Sequence, residues 1–229
     1  MKKALLLTLS LGVFAMPALG APSLGTPSYD DIEWPDDEEA SPALIELGKT
    51  LFFDKRLVPN EQQSCADCHD PSMGYSDGMA KDLKGHSKWK MAKRNSPMIN
   101  NLAWEPIIHW DGRTPDEQCF TPEDTGEEVC FAPLESQAYK SMRKRKVYEH
   151  FMPKVKASAG YQKLFKAAFP PNGDITHANM ARAIGAFERS LLSNNSEFDR
   201  YLAGNKHAMS PAAINGLEIF KGKGNCIDC

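Results

Sequence analysis

An all-α fold built as two tandem copies of one plan is what this sequence predicts, on three observations. Strand-like alternation of apolar and polar residues is nearly absent from its 229 residues, whereas apolar residues recur at helical spacing. The plan that begins at Ser41 begins again at Ser210: Ser-Pro, an apolar stripe ending in Phe, then two cysteines three residues apart, Cys65/Cys68 and Cys226/Cys229. Between the copies, Asn194-Asn195-Ser196 is a polar break.

Taken in order, residues 1–20 read as a secretory signal peptide: Lys2 and Lys3, an apolar run from Ala4 to Ala15, and Ala18-Leu19-Gly20 before the expected cut. Its loss takes the formal net charge from −3 to −5, since it carries those two lysines and no acid. A mildly acidic chain gives no reason to expect nucleic acid. No later stretch approaches the roughly 20 apolar residues of a membrane-spanning helix. Residues 21–40, rich in Pro, Ser, Asp and Glu, are expected to form a flexible tail.

Ser41 has the character of an N-cap with Pro42 at the first helical position, and Leu44, Ile45, Leu47, Leu51 and Phe52 mark one face of the helix it starts. From Tyr139 to Phe169 apolar and basic residues keep helical spacing, until Pro170-Pro171-Asn172-Gly173-Asp174 breaks it. Thr176 to Leu192 is the next helix, with Met180, Ala183, Ile184, Phe187 and Leu191 on one face. The expected domains are residues 41–193 and residues 194–229.

The helix from Ser41 leads to Cys65-Ala66-Asp67-Cys68-His69. Two thiols at this spacing followed at once by His are the attachment pattern of a c-type haem: the thiols add to the porphyrin vinyl groups and the imidazole becomes the proximal ligand. A half zinc site or a redox CxxC pair are the alternatives, but zinc needs four ligands and a redox pair has no use for His69. Each copy therefore begins as a small cytochrome c domain does, and haem attached after export places the chain in the periplasm. The second motif stops at Cys229, before its His, so the second domain is expected to be truncated and this chain a fragment. Cys119 and Cys130 close a short acidic loop in an oxidising compartment and read as a disulfide, with a metal or haem role as the alternative. For the second axial position, His86 competes with Met73 and Met79, and a solvated loop histidine is the plainer reading of His86.

The run Leu47 to Asp54, Ser64 to Pro71, Ser76-Asp77-Gly78, Arg94-Asn95-Ser96-Pro97, Trp110-Asp111-Gly112-Arg113, Ala186 to Arg189 and Phe198 to Tyr201 resembles the bacterial dihaem cytochrome c peroxidase family, in the family's order and over nearly all of the mature chain. The resemblance implies two haems c in the full-length protein. The N-terminal one reduces hydrogen peroxide, and the C-terminal one receives electrons from a small periplasmic donor such as a cytochrome c or cupredoxin. It implies that His86 is a removable second ligand of the first iron. Trp110 lies between the haems, where an aromatic ring can shorten tunnelling or simply pack, and Asn95 helps hold a calcium ion. A homodimer is compatible with it.

One departure bears on catalysis. Gln118 matches a family Gln, but the position of the family's acid/base Glu, counted from Pro133, falls on Tyr139, after an insertion carrying Cys119 and Cys130. A phenol with an ordinary pKa of ~10 is a poor proton acceptor at neutral pH. Glu135 is the substitute if the backbone shifts. Two rival functions follow: an electron-transfer cytochrome without catalysis, and the related dihaem oxidases that build a quinone cofactor on a partner protein.

Overall fold

Ser41 starts the first helix as its sequence requires. Its side-chain oxygen accepts the Leu44 N–H at 3.1 Å, Pro42 takes the first helical position, and α1 runs Pro42–Phe53. The computed structural model describes residues 25–35, 41–57, 61–78 and 95–228. The expected signal peptide, Met79, His86 and Cys229 lie outside the described residues. In chain order the remaining regular elements are β1 (Gln118–Phe120), β2 (Val129–Phe131), α2 (Pro133–Lys144), α3 (Val147–His150), α4 (Met152–Ala157), α5 (Ala159–Ala168), α6 (His177–Arg189), α7 (Glu197–Leu202) and α8 (Pro211–Lys221).

Residues Pro27–Asn194 form one packed unit. Its centre is the crossing of α1 and α6, made close because Gly48 has no side chain: a Cβ there would run into the Ala183 carbonyl and lie 2.9 Å from Phe187 Cβ. Around the crossing Leu47, Leu51, Phe52, Phe165 and Met180 are fully buried, each worth about 1.5–3 kcal/mol relative to exposure. α2 lies against α6 and α5 against α1. The end of α1 is tied down by Asp54, which accepts the Tyr161 hydroxyl at 2.6 Å and pairs with Arg56 at 2.6 Å. Burial alone would raise the Asp54 pKa, but the Arg56 and Tyr161 hydrogen bonds outweigh it and hold the carboxyl below its ordinary range.

Two expectations are corrected. The chain is helix-rich but not all-α, because β1 and β2 pair antiparallel with Cys119 opposite Cys130, and the two cysteines are disulfide-bonded. Strands of three residues are too short to display alternation, which is why the pattern misses them. The hairpin also serves α6: Asp124 in its loop accepts the His177 backbone N–H at 2.7 Å, at the helix's positive end. Second, the expected flexible tail is held down over its described part. Ile32 is buried, Trp34 lies over the Arg189 guanidinium at 5.7 Å, and the Pro27 carbonyl accepts from Asn194 at 3.1 Å. Two apolar side chains in a polar stretch are enough to anchor it.

Residues 195–228 fall in a second unit. Ser210 caps α8 by accepting the Ala213 N–H at 3.2 Å, with Pro211 at the first position. A single 3₁₀ turn follows at Cys226–Asp228. The plan of α1 and its CxxC is thus repeated, but no residue of α7 or α8 is buried, and Ile219 and Phe220 of α8 are exposed. Among the described residues no helix is long and apolar enough to cross a membrane.

Candidate haem-binding site

The Cys65–Asp67 3₁₀ turn is set by its own sequence. Asp67 accepts both the Ser64 backbone N–H, at 2.8 Å, and the Ser64 hydroxyl, at 2.9 Å, and the His69 N–H bonds back to the Cys65 carbonyl at 2.9 Å. This brings Cys65, Cys68 and His69 to the wall of one cavity. Past His69 the chain reverses through Gly74 and Tyr75, both left-handed (φ 64° and 58°), which places the Tyr75 carbonyl 3.1 Å from His69 Nδ1. A second carbonyl, that of Pro97, also lies 3.1 Å from Nδ1. Asp77 sets that second contact by accepting the Asn95 amide N–H and the Ser96 backbone N–H, each at 3.0 Å. Two carbonyls can only accept, so the ring proton sits on Nδ1 and the lone pair on Nε2, the tautomer a metal needs. Burial also lowers the pKa of His69, outweighing the two carbonyl bonds and keeping the ring neutral.

The cavity measures about 750 Å³. Leu57, Ala138, Met142 and Ile184 give it apolar walls, while Arg113, Lys140, Lys144 and Arg145 supply positive charge. The Arg145 guanidinium is held by the Ser141 hydroxyl at 2.7 Å. Apolar walls for a macrocycle, cations for its two carboxylates, paired thiols and a neutral imidazole of the correct tautomer fit a covalently attached haem. Burial pushes the Cys65 thiol up to about 12, so it stands as an uncharged thiol.

The structure distributes the other sequence-derived candidates unevenly. Trp110 sits at the tip of a turn closed by the Ile108–Thr114 bridge, its side chain fully exposed, and its neighbours His109 and Arg113 line the cavity. Packing is therefore not the role of its ring within this unit. Glu135 is 1% exposed and gives both oxygens to Arg189, one through Nη1 and one through Nη2 at 3.1 Å. It faces Gly185 rather than the cavity. Tyr139 lies two residues, about 200° around the helix, from both Gln137 and Ser141, which line the cavity. Its ring instead packs, tilted, against His177 at 4.5 Å, Phe120 at 4.8 Å and Phe131 at 5.5 Å between ring centres. Burial raises its pKa further, which leaves still less of it as the phenolate that could accept a proton. Gln118 is in β1 with its side-chain oxygen buried and unbonded, away from the cavity wall. Asn95 anchors the Asp77 contact, Cys226 is exposed with its thiol donating to the Gly224 carbonyl at 3.3 Å, and among the described residues no three His, Cys, Asp or Glu side chains form a metal cluster.

Sequence reading missed several residues that the cavity does contain, Gln137, Arg145 and Glu188 among them. Glu188 was legible as part of the Phe-Glu-Arg motif, and its step of four from Ile184 puts both on one helical face. Gln137 and Arg145 carried no signal beyond their places on α2 and at its C-terminal cap.

A family model described as di-haem cytochrome c peroxidase matches residues 42–207. The chain is 32% identical over 200 residues to methylamine utilization protein MauG of Methylorubrum extorquens, covering 87% of this chain and 52% of that protein. It is 32% identical over 188 residues to the cytochrome c551 peroxidase of Nitrosomonas europaea, covering 81% and 51% respectively. The chain thus spans about half the length of these relatives. Among solved structures, a MauG-like protein associated with microbial copper homeostasis shares the fold, with a TM-score of 0.61 at 23% identity, over 93% of this chain and 55% of that one.

Proposed function

Because this chain belongs to the di-haem cytochrome c peroxidase family, we propose that it forms the peroxide-reducing part of a periplasmic peroxidase. Hydrogen peroxide is reduced to two waters with two protons and two electrons, the electrons coming from a small donor protein. The observation that carries this reading is the convergence of Cys65, Cys68 and a neutral His69 on one apolar, cation-rimmed cavity. Cys65 and Cys68 hold the haem by thioether bonds and His69 binds its iron through Nε2; the haem supplies the redox centre at which peroxide is reduced. Arg113, Lys140 and Arg145 pair with the haem carboxylates. Trp110 is exposed, one residue from cavity-lining His109 and three from Arg113; that it passes electrons from a second haem, attached at Cys226 and Cys229, rests on the family resemblance. His86 serves as the removable second ligand, and a calcium ion near Asn95 belongs to the same reading; both rest on the family resemblance.

The placement of Tyr139 and Glu135 away from the cavity favours a second reading, an electron carrier on the same scaffold. An optical and EPR titration of the haem-loaded protein, wild type beside His86→Ala, separates the two. The peroxidase reading expects the wild-type first haem to turn from low to high spin on half reduction and then to consume peroxide, with the variant high-spin from the start. Two centres that stay low-spin and ignore peroxide support the carrier.

A further inference from the structure

The reduction of peroxide needs protons as well as electrons, and neither Tyr139 nor Glu135 can deliver one from where it stands. Among the described residues lining the cavity, one carboxyl is present: Glu188, near the C-terminal end of α6. Ile184, one turn earlier on the same face, lines the cavity with it. Glu188 is 6% exposed, and among the described residues its carboxyl has neither a hydrogen-bond nor a salt-bridge partner. The Arg189 guanidinium, next to it in sequence, gives two nitrogens to Glu135.

We propose that Glu188 is the proton-carrying acid of the haem cavity, handing its proton to peroxide as the O–O bond breaks. This rests on the peroxidase reading above. As the first donor electron enters and the O–O bond breaks, the Glu188 O–H bond breaks too, its proton joins the departing hydroxyl oxygen, and that oxygen leaves as water; the carboxylate regains a proton from solvent. The second proton comes from solvent as the remaining oxygen is reduced to water by the second of the donor's two electrons.

The surroundings keep the acid loaded. Burial, then the like charge of Glu135, push the Glu188 pKa up to about 8 against the opposing pull of Arg189, so the carboxyl holds its proton at pH 7. Lys140 and Lys144 of α2, Arg145 just past its end, and His109 and Arg113 of the loop before β1 face the same cavity; the carboxylates of a bound haem would answer those cations. Cys65, which lines the same cavity, is uncharged.

The test uses the haem-loaded protein, wild type beside Glu188→Gln and Glu188→Asp. In the infrared, the wild type is expected to show the carbonyl stretch of a protonated carboxyl that shifts when carbon monoxide binds the reduced protein and is missing from Glu188→Gln. Its absence from wild type overturns the proposal whatever the variants do. At equal haem content, Glu188→Gln is expected to reduce peroxide at least about a hundredfold more slowly, with Glu188→Asp recovering part of the loss. A Gln variant as fast as wild type, or an Asp variant no better than Gln, overturns it. A wild type that does not reduce peroxide at all defeats the peroxidase reading itself, which is a different result from an active wild type with an equally active Gln variant.

Discussion

Glu135 and Arg189 meet between α2 and α6 with both side chains almost wholly out of water, so each depends on the other for its charge. Removing one partner strands the other: Glu135→Ala is expected to destabilise the haem-loaded protein by about 3–5 kcal/mol in denaturant unfolding. Replacing both, as Glu135→Leu with Arg189→Met, is expected to recover most of that loss, since an apolar pair has no buried charge to strand. Asp54 gives a prediction with a pH signature. Its carboxyl is held below its ordinary value of 3.8 by Arg56 and Tyr161 despite burial, so the stability it contributes is present above that value and is lost as pH falls through the lowered one. Tyr161→Phe is expected to cost about 1.5–3 kcal/mol at pH 7, and the gap from wild type to shrink in acid, as read by thermal unfolding at the two pH values. At this scale the grouping of Cys65, Cys68 and His69 on one cavity was legible, and the placement of Tyr139 and Glu135 away from it was not. Cys65, Cys68 and His69 are neighbours in sequence, and their chemistry demands that spacing. Tyr139 and Glu135 were reached by counting along the chain, and a helix turns consecutive residues by about 100°, so a count that is right along the chain still ends on the wrong side. Glu188 entered the cavity from a helix forty-nine positions beyond α2's Tyr139, a juxtaposition created by packing alone.

The elements were legible wherever a cap announced them. Ser41-Pro42, Thr176 and Ser210-Pro211 each start a helix, and each side chain accepts the backbone N–H three residues on. The hairpin was hidden because its strands are three residues long, although the disulfide that joins them was foreseen from compartment and loop length. Its loop caps α6 through Asp124, so reducing the Cys119–Cys130 bond is expected to lower stability by about 2–3 kcal/mol from loop entropy. Amide exchange in the first turn of α6 should quicken with it; unchanged protection there would mean that the hairpin holds Asp124 in place without its bond. The α1–α6 crossing depends on Gly48, whose missing side chain admits the Ala183 carbonyl. Gly48→Ala is expected to cost about 3 kcal/mol or more and to reduce haem loading, because backbone rather than a flexible side chain is in the way. Equal stability and loading in wild type and variant would show that the two helices separate without cost.

Over the whole chain, two helix-to-CxxC plans stand in sequence, and they differ in what surrounds them. The first is embedded in a unit whose helices supply a cavity, a fixed imidazole tautomer and a cation rim. The second has an exposed α8 and an exposed Cys226. The duplication was legible from Ser-Pro, apolar stripe and CxxC, whereas the cavity was not, since its walls come from α2, α6 and two loops far apart in sequence. The central claim is that the cavity beside Cys65, Cys68 and His69 holds a haem at which peroxide is reduced. The most direct measurement is a titration of the haem-loaded, half-reduced protein with hydrogen peroxide, counting donor electrons consumed, beside a Cys65→Ala, Cys68→Ala variant. Two donor electrons per peroxide are expected for the wild type and no peroxide-dependent consumption by the variant, which lacks the first covalent haem. Peroxide reduction that persists undiminished in the variant, or a wild type that carries its haem there and consumes no donor, would contradict it.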